Sequence, residues 1–178
     1  MAFACEHQYA TVGAGIIPFI MEGKLKPTQR FMLVKRANTM DLHGGQWGVI
    51  GGYWRIGAEP DPATALVRES NEEVGQAFMM RFSGTFNMGN IAYVRPNVEP
   101  NSLFGKHPDA REEHANLHFL WAAQIGATTY NMADISADAE GENTAKGLFT
   151  LGEIQEEPDK FVPWLPQTLQ IMKTMGKI

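Results

Sequence analysis

Arg68, Glu69, Glu72 and Glu73 stand close together in the segment Arg68-Glu69-Ser70-Asn71-Glu72-Glu73-Val74-Gly75. On a helix turning about 100° per residue, the three carboxylates fall within an arc of roughly 100°. Ala63, Leu66, Val67, Ser70 and Val74 form a separate stripe suited to face a core. Like charges three or four residues apart repel by about a few tenths of a kcal/mol per pair even in water. A hard divalent cation removes that cost, because magnesium takes oxygen ligands and keeps positions open for water and phosphate. The plain alternative is a solvated acidic helix face, the usual place for charged side chains. The glycine pair Gly51-Gly52 ahead of the helix lets backbone carbonyls approach the same region.

These residues need a frame. Asp61 and Pro62 make a helix start, one as cap and the other at the first helical position, and the helix is expected to run to Val74 with Gly75 as its stop. Tyr9 to Met21 reads as a buried strand interrupted near Pro18, Arg30 to Arg36 as a second strand, and Gln46 to Gly52 as a short third one. Strands are further expected at Phe78–Phe86, Ile91–Val94 and Ala115–Ile125. Asn97 to His114 and Asn131 to Lys146 read as loops, and Pro163 to Met175 as a C-terminal helix with Pro166 in its first turn. The order β-β-β-α-β-β-β-α implies an α+β domain, a mixed sheet flanked by helices in an α/β/α sandwich. With 178 residues and no repeat or linker-like tract, one domain over residues 1–178 is expected.

Composition narrows the functions. A net charge of -5 gives no electrostatic reason to bind duplex nucleic acid, and a polyanionic substrate would need local cancellation by a cation. Cys5 is the one cysteine, so no intrachain disulfide forms, and the N-terminal segment lacks the pattern of a signal peptide. Val12 to Met21 is about half the roughly 20 residues that a membrane span needs. A cytoplasmic protein away from the membrane is the expectation.

A match to R-E-x-x-E-E-x-G arises by chance in about one chain of this length in 10⁴. The stretch Gly51 to Gly75 resembles the box of the Nudix hydrolase family, G-x5-E-x7-R-E-U-x-E-E-x-G-U with U a bulky apolar residue. Arg68, Glu69, Glu72, Glu73 and Gly75 match in type and spacing. The first half departs: counted from Gly52, Ala58 stands at the expected Glu position and Glu59 follows it. The loop entering the helix is thus two residues longer, while Ser70 and Gln76 replace expected apolar residues.

The resemblance implies a magnesium- or manganese-dependent hydrolase. It would cleave a diphosphate linkage in a nucleoside diphosphate-X substrate such as a nucleoside triphosphate, an NDP-sugar or a dinucleotide. Carried over by position, Glu69, Glu72 and Glu73 would be metal ligands, with the Gly52 carbonyl as a further candidate. Glu69 would polarise the attacking water and Arg68 would orient the carboxylates. The family often adds an acidic residue from a distant loop. Glu142 is the first candidate, Glu140 the next, and Glu112 and Glu113 stand behind them.

Trp47, Tyr53 and Trp54 are candidates to stack on a base, with core packing as the bland alternative. Arg55 and His43 are candidate phosphate contacts against a reading as ordinary surface side chains, and His118 reads as filler on a strand face. A small-molecule nucleotide is the implied partner, and a homodimer is an assembly that the family allows. Two other functions compete: a nucleotide sensor on the same fold that does not hydrolyse, and a diphosphate isomerase, for which Cys5 is poorly placed.

Overall fold

The computed structural model describes residues 11–40, 43–82, 84–98, 115–138 and 140–178. Cys5, Glu112, Glu113 and the start of the first expected strand lie outside them.

One mixed sheet organises the chain. Strands β1 (Thr11–Glu22) and β2 (Thr28–Arg36) pair as a hairpin only near their turn, from Phe19–Phe31 to Glu22–Thr28. Beyond that they part, and residues 47–53 enter the fork as β3 (Trp47–Gly48) on β2 and β4 (Ile50–Tyr53) on β1. Strand β5 (Tyr93–Val98) pairs with β6 (Ala115–Gln124), which runs parallel to β1 along its other edge. Strand β7 (Asn143–Phe149) covers the outer edge of β2, with a bulge at Lys35/Arg36.

A helical layer packs on each face. Helix α1 (Pro62–Val74) and the short α2 (Gln76–Met79) cover Ala14, Ile16, Met32, Val34, Ile50 and Trp121. A six-residue helix, α3 (Ala127–Met132), follows β6. On the opposite face, α4 (Leu151–Glu156) and α5 (Leu165–Thr174) cover Ile17, Phe31, Leu33 and Leu120. The expected α+β sandwich is the observed architecture. Among the described residues no helix is long and apolar enough to cross a membrane.

Several local expectations change. Strand β1 continues through Pro18, which falls where one edge of the strand changes partner, between the Ile16–Ile50 and Phe19–Phe31 pairs. Residues 78–86 are not a strand: α2 leads into a 3-10 turn, Met80–Phe82. Phe78, Phe82 and Phe86 are spaced four apart, and their rings stack in series at 5.1 and 5.4 Å, a helical rather than a strand periodicity. The expected Ile91–Val94 strand begins two residues later, at Tyr93.

The expected loop ending at Lys146 contains the start of β7, whose polar Asn143, Thr144 and Lys146 hid an edge strand. Helix α4 was signalled by Thr150 and Glu153, which form a reciprocal capping box. Pro166 does sit in the first turn of α5.

Helix α1 has the expected ends. The Asp61 carboxylate accepts from the Thr64 N–H at 2.8 Å, Pro62 follows, and Gly75 stops the helix at φ 84°. Its buried face takes in Ala65 and Glu73 and leaves Val67 40% exposed. Glu73 lies at the boundary between the acidic arc and the apolar stripe, and the sheet settles it inside. Because the cap sets where α1 begins, Asp61→Ala should lower unfolding free energy by about 1 kcal/mol in urea titration.

Candidate active site

The site forms where the end of β4 meets α1. Arg68 donates from Nε to Glu59 Oε1 at 2.6 Å and from Nη1 to Glu69 Oε1 at 2.6 Å and Glu72 Oε2 at 3.0 Å. Its Nη2 donates to the Tyr53 carbonyl at 2.9 Å. One guanidinium thus ties the helix to the strand end and holds three carboxylates. These hydrogen bonds raise the Arg68 pKa although burial opposes them, so its charge is permanent.

Glu59 reaches Arg68 despite the longer loop. Its other oxygen accepts from the Arg55 N–H at 2.8 Å, and its own carbonyl accepts from Trp54 Nε1 at 3.1 Å. The hydrogen bond from Arg68 is the main reason that its carboxyl sits below the usual range. The two extra residues are absorbed in the turn, and Glu59 takes the contact that the spacing had left open.

Glu73 is 5% exposed. Its Oε2 accepts from the Gly51 N–H at 2.8 Å and its Oε1 from Asn143 Nδ2 at 3.0 Å, so it joins α1 to β4 and to the first residue of β7. Burial pushes its pKa from an ordinary 4.5 to about 8, against those two hydrogen bonds. A side chain at Gly51 would strike the Ala14 carbonyl oxygen, and φ there is 138°, so glycine alone suits this contact. At Gly52 an added Cβ would fall within the Glu69 carboxylate. The Glu69 carboxyl is itself raised, first by burial and then by Glu72 and Glu142, with Arg68 opposing.

Glu142 enters from the turn before β7. The Ala37 N–H donates to its carbonyl at 2.7 Å. Burial raises its carboxyl most; Arg36 opposes, while Glu140, Asp138 and Glu72 add to the rise. The Asp138 carboxylate organises that turn by accepting from the N–H groups of Glu140, Gly141 and Asn143.

Sequence reasoning missed Asn143, Asp138 and Arg36. The D-x-x-G-x-N run from Asp138 to Asn143 is a turn-forming signal that was available. The link to Glu73 spans 70 positions and had no local signature.

The remaining candidates separate. Tyr53 is exposed at the strand end; burial of its phenol, with Glu142 and Glu69 adding and Arg36 opposing, raises its pKa to about 12. Trp47 lies edge-on to Phe149 at 4.7 Å, and Trp54 packs into the cluster beneath α1, so core contacts account for both. Arg55 and Glu140 are exposed. His43 occupies a left-handed turn position at φ 56°, and His118 rests against Trp164.

The donors around Glu69 are all oxygens, and Asn143 Oδ1 is buried with no hydrogen-bond partner among the described residues. No three acidic, His or Cys side chains among those residues close on one point as a full metal cage would. Carboxylate and carbonyl oxygens are hard donors of the kind that magnesium takes, one or two carboxylates at a time with water filling the other positions.

No family model matches the chain, and no curated protein matches it in sequence. Solved structures do. The MutT protein of Methanosarcina mazei Go1 superposes with a TM-score of 0.61 at 15% identity, over 95% of this chain and 96% of that one. The chain has the Nudix fold. The NUDIX domain of Shewanella oneidensis NrtR, solved with ADP ribose, gives 0.54 at 13% identity over 97% and 90% of the two chains. A C. elegans Ap4A hydrolase in a binary complex gives 0.55 at 10% identity over 93% and 97%. The Nudix-box resemblance of Gly51 to Gly75 therefore sits in the matching fold.

Two outcomes follow from the geometry. Gly52→Ala should displace the Glu69 carboxylate and lower phosphate-releasing activity at least about tenfold, a loss of about 1.4 kcal/mol in transition-state binding, while thermal unfolding stays cooperative. The second concerns pH. With its pKa raised on folding, Glu73 binds more protons folded than unfolded between pH 4.5 and about 8. Its contribution is complete below the unfolded value and is lost as pH rises through the folded one. The melting temperature in EDTA should therefore fall across that window, less so in Glu73→Gln and more steeply in Asn143→Asp, which replaces the amide donor by a second carboxylate beside Glu73; calorimetry would compare the profiles.

Proposed function

We propose that this protein is a divalent-cation-dependent Nudix hydrolase that cleaves a diphosphate linkage in a nucleoside diphosphate-X compound. The observation that carries the reading is the Arg68 constellation: three carboxylates gathered by one guanidinium beside the side-chain-free Gly52. One or two of Glu69, Glu72 and Glu142, with the Gly52 carbonyl, would hold magnesium or manganese, and Glu73 lies behind them. Such an ion supplies charge neutralisation on the diphosphate and a lowered pKa for water.

The chain's own residues have distinct tasks. Glu69 would accept the proton of a water attacking phosphorus, and burial, which raises its pKa, supports that role as base. The water oxygen bonds to phosphorus, the bridging oxygen departs with the leaving phosphate, and the proton passes on to that group. Arg68 fixes the direction of the Glu69 carboxylate, and Glu59 fixes Arg68 from its other edge. Glu73 sets the distance between α1 and the Gly51-Gly52 backbone. Tyr53 and Arg55 flank the substrate side of this strand end. Trp54 supports it from within, its indole N–H donating to the Glu59 carbonyl.

The neighbours act on or bind nucleotides of the Ap4A and ADP ribose kinds by their own descriptions, and the same class is proposed here. A screen of nucleoside triphosphates, NDP-sugars and dinucleotides should show magnesium-dependent release of phosphate or nucleoside monophosphate from at least one member. EDTA should abolish it, and Glu69→Gln should lower kcat about 10²–10⁴-fold. Full turnover in Glu69→Gln would refute the assigned base. Tight nucleotide binding with no turnover across the panel would replace the hydrolase by a sensor.

A further inference from the structure

Lys146 is the one charged side chain of β7, and it does not point to solvent. It pairs with Val34 of β2. Residues directly paired across a sheet share a face, so Lys146 rises on the face that α1 covers. There its Nζ donates to the Tyr130 carbonyl at 2.9 Å and to the Ala133 carbonyl, and it lies 4.8 Å from the centre of the Tyr130 ring. These carbonyls stand at the end of α3, a helix with no basic residue in its own last turn. The donor that a helix end lacks is thus brought in by a strand. Burial lowers the pKa of the ammonium and Asp134 opposes it, as for a cation drawn partly out of water.

The contact with Ala133 joins residues 13 positions apart and so closes a loop. Directly after Ala133, the Asp134 N–H donates to the Val74 carbonyl at 2.9 Å, at the end of α1. The Asp134 carboxylate accepts from the Ser136 N–H and opens the 3-10 turn Ile135–Ala137. Asp138 follows, and the chain returns through Glu142 to Asn143, whose amide reaches Glu73. The loop therefore meets α1 twice, at Val74 and at its neighbour Glu73, and Glu142 lies between those two anchors. Compact loops with their ends held together are a common carrier of functional residues. Lys146 closes the neck of this one.

We infer that Lys146 is a positioning residue of the site: by clasping Ala133 to β7 it sets where the turn presents Glu142 to Glu69 and Glu72. This rests on the proposed function for the role of Glu142 as a cation ligand, but not for the clasp. Without the ammonium, the Ala133 carbonyl, in a residue only 4% exposed, loses this donor. The anchor at Val74 then loosens while the one through Asn143 remains, and Glu142 is held from one side alone. Residues that orient a metal ligand from behind change metal affinity about 10–100-fold when replaced.

The full-length protein and its variants are titrated with manganese ion alone, followed by electron paramagnetic resonance, and amide exchange across residues 134–146 is read by mass spectrometry. Lys146→Met should weaken manganese binding about tenfold and speed exchange in the loop. Lys146→Arg, which can still donate to both carbonyls and lie over the Tyr130 ring, should keep most of the affinity. In a Glu142→Gln background, Lys146→Met should change affinity less than about twofold, because a residue that acts through Glu142 has nothing left to act through. Thermal melts check that each variant is folded. Should Lys146→Met not fold, Lys146→Gln, which keeps an amide donor, carries the same comparison.

Full additivity of Lys146→Met with Glu142→Gln overturns the inference. So does native manganese affinity in a folded Lys146→Met whose loop exchanges faster, since Lys146 would then be structural only. Weakened manganese binding in Lys146→Met, with no nucleotide turned over by the native protein, would sink the hydrolase and leave the clasp standing. Turnover by the native protein with kcat and manganese affinity unaltered in Lys146→Met would do the reverse.

Discussion

The structure depends on a charge problem solved by Arg68. Glu59, Glu69 and Glu72 point at one another from a loop and a helix, and each would repel the next without a cation between them. The guanidinium is suited to this place because its donors are spread in a plane and it stays charged when partly buried. Lysine could neutralise one neighbour but could not reach the Tyr53 carbonyl and three carboxylates at fixed angles. A single positive charge against three negatives also leaves the cluster net anionic. Under the proposed function, that surplus is what a divalent cation would offset before a polyanion could approach.

A second carboxylate does a different job. Glu73 is enclosed, and both of its oxygens are taken by the Gly51 N–H and the Asn143 amide. It fastens three elements that are far apart in sequence, and Asp138 fastens the turn that delivers Asn143 and Glu142. The acidic residues on α1 are therefore not equivalent. Glu72 is half in solvent, Glu69 is wedged against Gly52, and Glu73 belongs to the framework.

Much of this was legible in the sequence, and the reason is local. Asp61, Pro62 and Gly75 define α1 by capping chemistry confined to a few residues, and the 3.6-residue period brings Glu69 and Glu72 to Arg68 without help from the rest of the chain. Glu59 was ambiguous because spacing counts residues, whereas a turn can absorb two of them and present the same side chain. The choice between stacking and core packing for the aromatic residues was open for a similar reason. Trp54 and Tyr53 are adjacent, but strand alternation sends one to each face, and only the pairing of β4 with β1 decides which. Asn143 and Lys146 acquire their places through pairings and packing between distant segments, which no short window of residues carries.

The fork in the sheet bears on how such a molecule is made. Strand β1 is near the start of the chain, yet its partners come from residues 28–31, 50–53 and 116–124. Closing such distant loops is the slow part of forming a sheet. During synthesis β1 must wait, with one edge unpaired, until β6 has emerged, and Glu73 lacks its amide donor until residue 143 follows. A nascent chain cut short before that point would carry every residue of the acidic motif and still have no assembled site.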